Sequence, residues 1–289
     1  MKTSCFRAGL GLALALNPLF LFAQTPSTSS GQATPPAAPA APLGSTVFKW
    51  EDLKVKPTGN GERRDVTDGP SATFEVFESH ITTILPGKMS HAPHQHAREE
   101  LIILREGTLD VSLNGKVSRA GPGSVLFFAA NDFHNVTNVG DTPATYFVFN
   151  FSTAATKTAP KEGAEAAATP GKMGSRVIEW AGLEFKPSKV GGRRDVINSP
   201  TNTLMNFSVH VTTLNAGEAP HAAHHHPDEE IVVVKEGALD VTQKDVKTRA
   251  TTGSIIFCAS NDEHGWRNAG DTPATYYVIR AITEKVPKP

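Results

Sequence analysis

Residues 86–107 read PGKMSHAPHQHAREELIILREG, and this stretch decides the fold assignment. Its regularly spaced residues are Gly87, His94, His96, Glu100 and Gly107. In an extended strand alternate side chains share a face, so the two histidines and the glutamate are expected to point to one side. Two imidazoles and one carboxylate on a common face supply most of a metal site.

The same pattern occurs a second time in the chain. Its members there are Gly217, His224, His226, Glu230 and Gly237. Residues 49–149 align with residues 179–279 without a gap, and about 45 of the 101 positions are identical. Identity over so long a stretch marks an internal duplication. The two halves of the chain are therefore expected to share one fold.

Within each copy, short apolar segments alternate with Gly, Pro, Asn and Asp, and none shows sustained helical periodicity. In the first copy, strands are predicted over 74–85, 101–104, 109–113, 124–129 and 144–151. Asn114-Gly115 predicts a hairpin turn. Many short strands in about 100 residues favour an all-β jelly roll or barrel. An immunoglobulin-like sandwich is the alternative, but it leaves the histidine spacing unexplained.

The segments outside the repeat have distinct compositions. Lys2 and Arg7 followed by an apolar run are typical of a secretory signal peptide, expected over 1–23. A membrane anchor is the alternative, but the run is short and contains Asn17 and Pro18. The Pro-, Ala- and Ser-rich residues 24–45 are expected to form a disordered tether. These features predict a secreted or periplasmic protein that has no membrane contact once the signal is removed.

Composition narrows the range of partners. The formal net charge is −1, and Lys and Arg (28) nearly balance Asp and Glu (29). This balance gives no general attraction to phosphate backbones, so nucleic acid is not expected as a partner. A small-molecule substrate is expected, and homo-oligomer formation is left open. Without the signal peptide Cys258 is the single thiol, so no intramolecular disulfide can form.

A second cluster of each copy adds one more histidine. Gly123, His134 and Asn138 recur as Gly253, His264 and Asn268. Together with the first cluster, their spacing resembles the two motifs of the cupin superfamily, and its double occurrence resembles a bicupin. Ala129 and Asn131 depart from the pattern, because the family has proline and glycine at these positions of the turn.

The resemblance implies two tandem cupin barrels, of the double-stranded β-helix or jelly-roll type. The N-terminal cupin domain is expected over 46–151, a linker over 152–175 and the C-terminal cupin domain over 176–289. Each barrel is expected to hold one divalent metal ion through three histidines and one glutamate. The implied ligands are His94, His96, Glu100 and His134 in the first barrel, and His224, His226, Glu230 and His264 in the second.

Three neutral donors and one anion leave a divalent ion with net positive charge and open positions for small oxygen ligands. Manganese or iron is the expected cofactor, with zinc, copper and nickel as alternatives. Bicupins with this ligand set include oxalate decarboxylases and dioxygenases. The resemblance therefore implies a metal-dependent oxidoreductase or decarboxylase acting on a small carboxylated or oxygen-rich molecule. The alternatives are a non-catalytic metal or small-ligand binding protein and a hydrolase similar to ureidoglycine aminohydrolase.

Further residues near the two motifs have more than one candidate role. His91, His221 and the unduplicated Glu263 are candidates for catalytic proton transfer, although loop hydrogen bonding explains the two histidines equally well. Glu99 and Glu229 have the opposite strand parity to the expected ligands, and we predict that they face solvent or pair with cations.

For several duplicated residues near the expected sites a structural role is favoured. Arg63 is expected to pair with Asp65, and binding of an anionic substrate near the metal is the alternative. His80 is expected to be a structural histidine, and orientation of a ligand from behind is the alternative. The segment around Trp50 is expected to cross to the other barrel, as in related double cupins, with the barrels related by a pseudo-two-fold axis.

The copies differ around the sites more than in them. Arg98 corresponds to Asp228, Phe133 to Glu263, Asn135 to Gly265 and Val136 to Trp266. If these residues line the sites, the second site is the more acidic, and one centre could be catalytic and the other structural.

Overall fold

The computed structural model describes residues 40–158 and 170–287. The predicted signal peptide, residues 24–39 of the tether and residues 159–169 of the linker lie outside the described residues. The regular structure of the described part is twenty β-strands and three short 3-10 turns, at Trp50–Asp52, Ala154–Thr158 and Trp180–Gly182. No helix within it has the length and hydropathy needed to cross a membrane.

The N-terminal half contains the first ten strands. They are β1 (Thr46–Phe48), β2 (Lys56–Thr58), β3 (Gly61–Gly69), β4 (Val76–Ile84), β5 (Glu99–Glu106), β6 (Leu109–Leu113), β7 (Lys116–Ala120), β8 (Val125–Phe128), β9 (His134–Asn138) and β10 (Ala144–Ser152). The five predicted strands are confirmed to within two residues at each end. Asn114 and Gly115 have φ of 47° and 79° and join β6 to β7, which confirms the predicted hairpin turn.

The C-terminal half repeats this order. Its strands are β11 (Arg176–Ile178), β12 (Lys186–Ser188), β13 (Gly191–Ser199), β14 (Asn206–Leu214), β15 (Glu229–Glu236), β16 (Ala238–Gln243), β17 (Val246–Thr251), β18 (Ile255–Cys258), β19 (His264–Asn268) and β20 (Ala274–Ile282).

The strands form two barrels, each made of a seven-stranded and a three-stranded antiparallel sheet. The first barrel has the orders β11-β8-β5-β10-β4-β3-β2 and β7-β6-β9. The second has the orders β1-β18-β15-β20-β14-β13-β12 and β17-β16-β19. This arrangement confirms the predicted all-β fold of two tandem jelly-roll barrels.

The two halves exchange their first strands. β1 belongs to the N-terminal half but pairs with β18, where Thr46 lies opposite Phe257. β11 pairs in the same way with β8 of the other half, where Arg176 lies opposite Phe127. The expected crossing of the N-terminal segment is confirmed. Contacts made equally in both directions are those that a pseudo-two-fold relation between the halves produces.

Both faces of β5 are buried, and this sets the surroundings of the site. Ile102 and Leu104 pack inside the first barrel. Leu101 and Ile103 point the other way, into a core that the two barrels share. Phe77 and Phe257 of opposite halves meet in that shared core, with ring centroids 5.5 Å apart. A residue of β5 that points away from its own barrel therefore faces the other half, not solvent.

Each exchanged strand leads to a tryptophan that sits against a glycine of the other half. Trp50 covers Gly253, and a Cβ atom at that glycine would lie 2.7 Å from the indole ring. Gly253 also has φ of +92°, which side chains other than glycine rarely adopt. The guanidinium of Arg105 lies 3.9 Å from the centre of the same indole ring. The tryptophan thus fixes the end of the exchanged strand by shape and by a cation–π contact.

We expect Trp50→Ala to lower the free energy of unfolding by roughly 3 kcal/mol, because the change leaves a cavity between the two halves. Urea unfolding followed by circular dichroism measures this loss. The control is Val55→Ala, whose side chain is 47% exposed, with an expected change below about 0.5 kcal/mol. Equal losses from the two variants would contradict the assigned role of the exchanged strand.

Candidate metal centres

The first candidate site lies where the chain before β5 meets the start of β9. The backbone N–H of His94 donates to the carbonyl of His134 at 3.1 Å, and the reverse bond measures 2.8 Å. The N–H of Asn131 donates to the carbonyl of His96 at 2.8 Å. The side chains of His94, His96 and His134 converge, and their ligand atoms all lie within 4.8 Å of one another.

One detail of the sequence interpretation was wrong. The histidines of the first motif do not lie in a regular strand with the glutamate, because β5 begins only at Glu99. His94 forms an isolated bridge and His96 lies in irregular chain. A bend at residues 97 and 98 separates them from the strand. Convergence of the histidines thus depends on the bridge to His134 as well as on strand parity.

Glu100 points into the same barrel, but it lies beside the histidine group. Its Oε2 is 3.4 Å from Nε2 of His96, and the residue is 9% exposed. Burial alone would raise the pKa of the Glu100 carboxyl, but the neighbouring His96 imidazole, with His134, holds it below its usual value. An ionised carboxylate next to three imidazoles favours positive charge at the centre of the group.

The histidine rings are oriented by backbone carbonyls. Nδ1 of His96 lies 2.8 Å from the carbonyl of Arg98, and Nδ1 of His134 lies 2.7 Å from that of Asp132. Nε2 of His134 is buried and has no hydrogen-bond partner among the described residues. A ring that donates through one nitrogen and directs the other into a polar centre is typical of a metal-ligating histidine. This donor set fits a divalent ion.

The second candidate site repeats this geometry. The ligand atoms of His224, His226 and His264 also lie within 4.8 Å of one another. The carboxylate of Glu230 lies 3.5 Å from His226 and 4.0 Å from His264. Nε2 of His226 and Nε2 of His264 are both buried without a hydrogen-bond partner in the described part of the chain. All eight predicted ligands are thus placed in two equivalent groups, and their metal ligation stays a prediction.

The two sites differ in electrostatic surroundings. In the first, burial, together with nearby His91, lowers the pKa of His94 to about 4. In the second, Asp228 lies 3.3 Å from Nδ1 of His226. Although burial opposes it, this carboxylate and Glu230 raise the pKa of His226 to about 9. The second site therefore has a carboxylate beside His226 where the first copy has Arg98, and Arg280 pairs with that carboxylate. The greater acidity expected of the second site stays a prediction.

A chamber of about 650 Å³ opens onto the first histidine group. Its lining residues include His80, His91, Arg98, Glu100, Asn135, Val136, Tyr146 and Asn150. Polar and charged groups of opposite sign thus surround the expected metal position. The volume is in the range of pockets that bind small molecules.

In the second barrel, several of the corresponding positions carry different side chains. Trp266 stands where the first barrel has Val136, and it stacks on His264 with ring centroids 6.0 Å apart. Arg280 stands where the first barrel has Asn150, and its guanidinium forms two hydrogen bonds to Asp228, of 2.6 and 2.8 Å. The side chains around the two sites have therefore diverged in both size and charge.

The candidates for proton transfer are not equally placed. His91 lines the chamber, with its ring 4.0 Å from that of His94. His221 is exposed and lines a groove beside Trp266 on the second barrel. Glu263 is exposed and is not part of the chamber wall. The catalytic roles of these residues stay predictions.

The sequence interpretation missed a polar cluster at the inner end of β4. Glu78 is 8% exposed. It accepts a hydrogen bond from Nδ2 of Asn150 at 2.7 Å and lies 2.7 Å from Nδ1 of His80. Arg63 reaches the same carboxylate at 3.0 Å and also binds Asp65, as predicted. Strand parity was the available signal, because Glu78 and His80 lie two residues apart on β4 and therefore share a face. Ser208 at the matching position of the second copy weakened that signal.

The prediction for Glu99 and Glu229 was wrong. Both point away from the ligands, as parity required, but they are 0% and 1% exposed. Each carboxylate is hydrogen-bonded by hydroxyls of the opposite half, with Thr203 binding Glu99 and Thr73 binding Glu229. The second face of the strand is covered by the other barrel, which no local pattern indicates.

Comparison with protein-family models gives one match, described as "Cupin domain", over residues 80–150 and again over residues 210–280. The two matched segments contain all eight predicted ligands, from His94 to His134 and from His224 to His264. No curated protein sequence matches the chain.

Several solved structures have a similar fold. Oxalate decarboxylase of Lactobacillus farciminis, in a formate complex, is 14% identical, with a TM-score of 0.63 over 85% of this chain and 88% of that one. Oxalate decarboxylase of Bacillus subtilis, described with Mn(II) centres, is 15% identical, with a TM-score of 0.61 over 86% of this chain and 80% of that one. Protein Ylba from E. coli is 12% identical, with a TM-score of 0.64 over 85% of this chain and 94% of that one. Identities this low establish likeness of fold alone.

We predict that the chain binds two equivalents of Mn(II), one for each histidine group, and that His134→Gln and His264→Gln each remove one equivalent. Glutamine keeps similar bulk but replaces the imidazole donor that each site needs. Equilibrium dialysis with elemental analysis measures the stoichiometry. His225→Gln, at an exposed position outside both groups, is the control, and an unchanged stoichiometry in either ligand variant would contradict the assignment.

Proposed function

This chain is a bicupin of the cupin superfamily, and from that premise we propose that it binds a divalent metal ion in each barrel and acts as a metal-dependent oxidoreductase or decarboxylase. The proposed substrate is a small carboxylated or oxygen-rich molecule, and the proposed place of reaction is the first barrel. The observation that carries the proposal is the chamber of about 650 Å³ that opens onto His94, His96 and His134.

The walls of the chamber suit an anionic substrate. Arg98 lines it and has no carboxylate partner among the ion pairs of the described residues. The backbone carbonyl of Arg98 also accepts a hydrogen bond from Nδ1 of His96, which places this exposed residue next to the proposed metal position. A guanidinium fork matches the two oxygens of a carboxylate. Arg98 is therefore the proposed anchor of the substrate carboxylate.

A divalent ion held by His94, His96, His134 and Glu100 would supply Lewis acidity and open positions for oxygen ligands. The chain's own residues would control protons around it. His80 lines the chamber and is held at Nδ1 by Glu78. The carboxylate of Glu78 is in turn fixed by Arg63 and Asn150. This pairing directs the second ring nitrogen of His80 away from Glu78 and makes it a candidate to accept or donate a proton.

The different surroundings of the second site support a division of labour. Trp266 stands where the first barrel has Val136, and the Arg280–Asp228 pair stands where it has Asn150 and Arg98. We therefore propose that the ion of the second barrel is structural. The same observations favour a second candidate function, in which the whole protein binds metal or a small ligand without turnover.

Manganese is the first metal to test, with iron next. An octahedral ion suits three imidazoles and one carboxylate with two further positions. The Mn(II) centres named for the Bacillus subtilis relative give additional support. A secreted or periplasmic location also remains part of the proposal, and it rests on the composition of residues 1–23. Cell fractionation with detection of the mature N-terminus tests it.

We expect Mn- or Fe-loaded protein to turn over at least one member of a panel of oxalate, other small carboxylates and catechols, measured as CO₂ release and O₂ consumption. Glu100→Gln should lower the rate at least about a hundredfold, because it weakens the binding of the ion that activates the substrate. Glu230→Gln, the matched change in the other barrel, should cause a much smaller loss. Equal losses would contradict the division of labour. Metal-dependent stabilisation without any turnover would favour the binding protein.

We also expect Arg98→Gln to raise the KM for a carboxylate substrate about tenfold, or about 1.4 kcal/mol, with a smaller effect on kcat. The amide keeps a hydrogen-bond donor but loses the charge and the paired geometry. Steady-state kinetics with a carboxylate and with a neutral analogue measure the difference. Arg267→Gln, at an exposed position of the second barrel, is the control, and an unchanged KM in the Arg98 variant would exclude it as the anchor.

A further inference from the structure

A second buried carboxylate stands directly before the expected ligand carboxylate in each barrel. Glu99 precedes Glu100 at the start of β5, and Glu229 precedes Glu230 at the start of β15. Consecutive residues of a strand point to opposite faces. Each pair therefore directs one carboxylate to the metal site of its own barrel and the other to the opposite half.

Glu99 is held by a short segment of the C-terminal half. The hydroxyl of Thr203 donates to Oε2 of Glu99 at 2.7 Å, and the hydroxyl of Thr201 donates to the same oxygen. The backbone N–H groups of Asn202 and Thr203 donate to Oε1 at 3.0 and 3.3 Å. Four donors from residues more than 100 positions away thus fix both oxygens of one carboxylate.

Glu229 has the mirror arrangement with the N-terminal half. Ser71 and Thr73 donate through their hydroxyls to Oε2 at 2.6 and 2.7 Å, and the N–H of Ala72 donates to Oε1 at 3.0 Å. The hydroxyl of Thr283 further binds the carbonyl of Thr73 at 3.1 Å. The junction therefore contains the same carboxylate clamp twice, once in each direction.

A buried carboxylate is not the side chain that packing alone would favour at these two positions. Burying a charge costs free energy unless it is fully hydrogen-bonded, and apolar residues of similar volume often serve stability as well or better. The surrounding junction is apolar, with Leu101 and Ile103 on the same face of β5. Directional hydrogen bonds add what apolar packing does not, which is a fixed position and rotation of the strand end.

We propose that Glu99 and Glu229 are positioning residues through which each barrel sets the metal-ligating carboxylate of the other. Glu99, held by Thr201 and Thr203, fixes the backbone from which Glu100 reaches the first ion. Glu229, held by Ser71 and Thr73, does the same for Glu230 and the second ion. The affinity of each site for metal then depends on hydroxyl groups of the opposite half. This inference rests on the proposed metal binding, but not on any enzymatic activity.

Thr203→Val tests the proposal, because it removes one hydroxyl donor to Glu99 at nearly constant shape. The full chain is used in two single-site backgrounds, His264→Gln for the first site and His134→Gln for the second. Mn(II) titration followed by EPR gives the affinity of the remaining site. We expect Thr203→Val to weaken the first site about tenfold and to leave the second site unaffected, since loss of a group that orients a ligand typically costs 10–100-fold.

Thr73→Val is the matched control and should give the reverse result, a weaker second site with the first site unaffected. Thr203→Ser keeps the hydroxyl and should restore the first-site affinity and the Mn(II) EPR line shape. A purely structural role of the threonine would lower thermal stability without this selectivity. Thermal unfolding of the metal-free variants is measured alongside to identify that case. Where a single-site background is insoluble, the same threonine variants are compared in the two-site chain.

Equal weakening of both sites by Thr203→Val, or no weakening of the first, would overturn the proposal. Failure of the proposed function is recognised separately, because the unaltered protein would then bind no Mn(II) in the same titration. Two tight sites in the unaltered protein, with no cross-barrel effect of the threonines, would leave the proposed function intact and refute only the positioning role.

Discussion

Two backbone hydrogen bonds exchanged between His94 and His134 join parts of the chain that are 40 residues apart. Without this bridge, the irregular segment before β5 has no strand to fix it, and the first-motif histidines would have no common direction. His224 and His264 repeat the bridge in the second barrel. The barrel supplies the two segments at the right separation, and the bridge converts that separation into three converging imidazoles. The position of Glu100 depends on a second constraint, the pairing of β5 with its neighbours.

Much of this arrangement could be predicted from the sequence because the signals are local or duplicated. The repeat predicted two equal barrels, and β-branched and aromatic runs predicted the principal strands. Asn131 shows how a departure from the family pattern is tolerated, since it has φ of +64°, a conformation that asparagine accepts more readily than most residues. Glu99 could not be predicted in the same way. Its surroundings come from the opposite half, and strand parity indicates only which way a side chain points, not what covers it.

The copies keep the same candidate ligands but differ in side chains around them. His94, His96, Glu100 and His134 have identical counterparts, while the side chains around them change in size and charge. Phe128, Val136 and Asn150 line the chamber at the first histidine group, whereas the second copy has Cys258, Trp266 and Arg280 at these positions. Duplication supplied two equivalent sets of candidate ligands, and later substitutions gave them different neighbours. This difference is the basis for placing the proposed reaction in the first barrel.

The exchange of β1 and β11 also has a consequence for how the chain folds. Thr46 pairs with Phe257, so β1 is synthesised long before its partner β18. Contacts between residues so far apart in the sequence slow folding. Until β18 has been synthesised and folded, β1 is unpaired and can pair with another chain. The edge of β18 can form the same backbone hydrogen bonds with β1 of another copy of the protein as with its own β1. At high concentration during synthesis, the same strand that unites the two halves can therefore link two molecules into a swapped dimer.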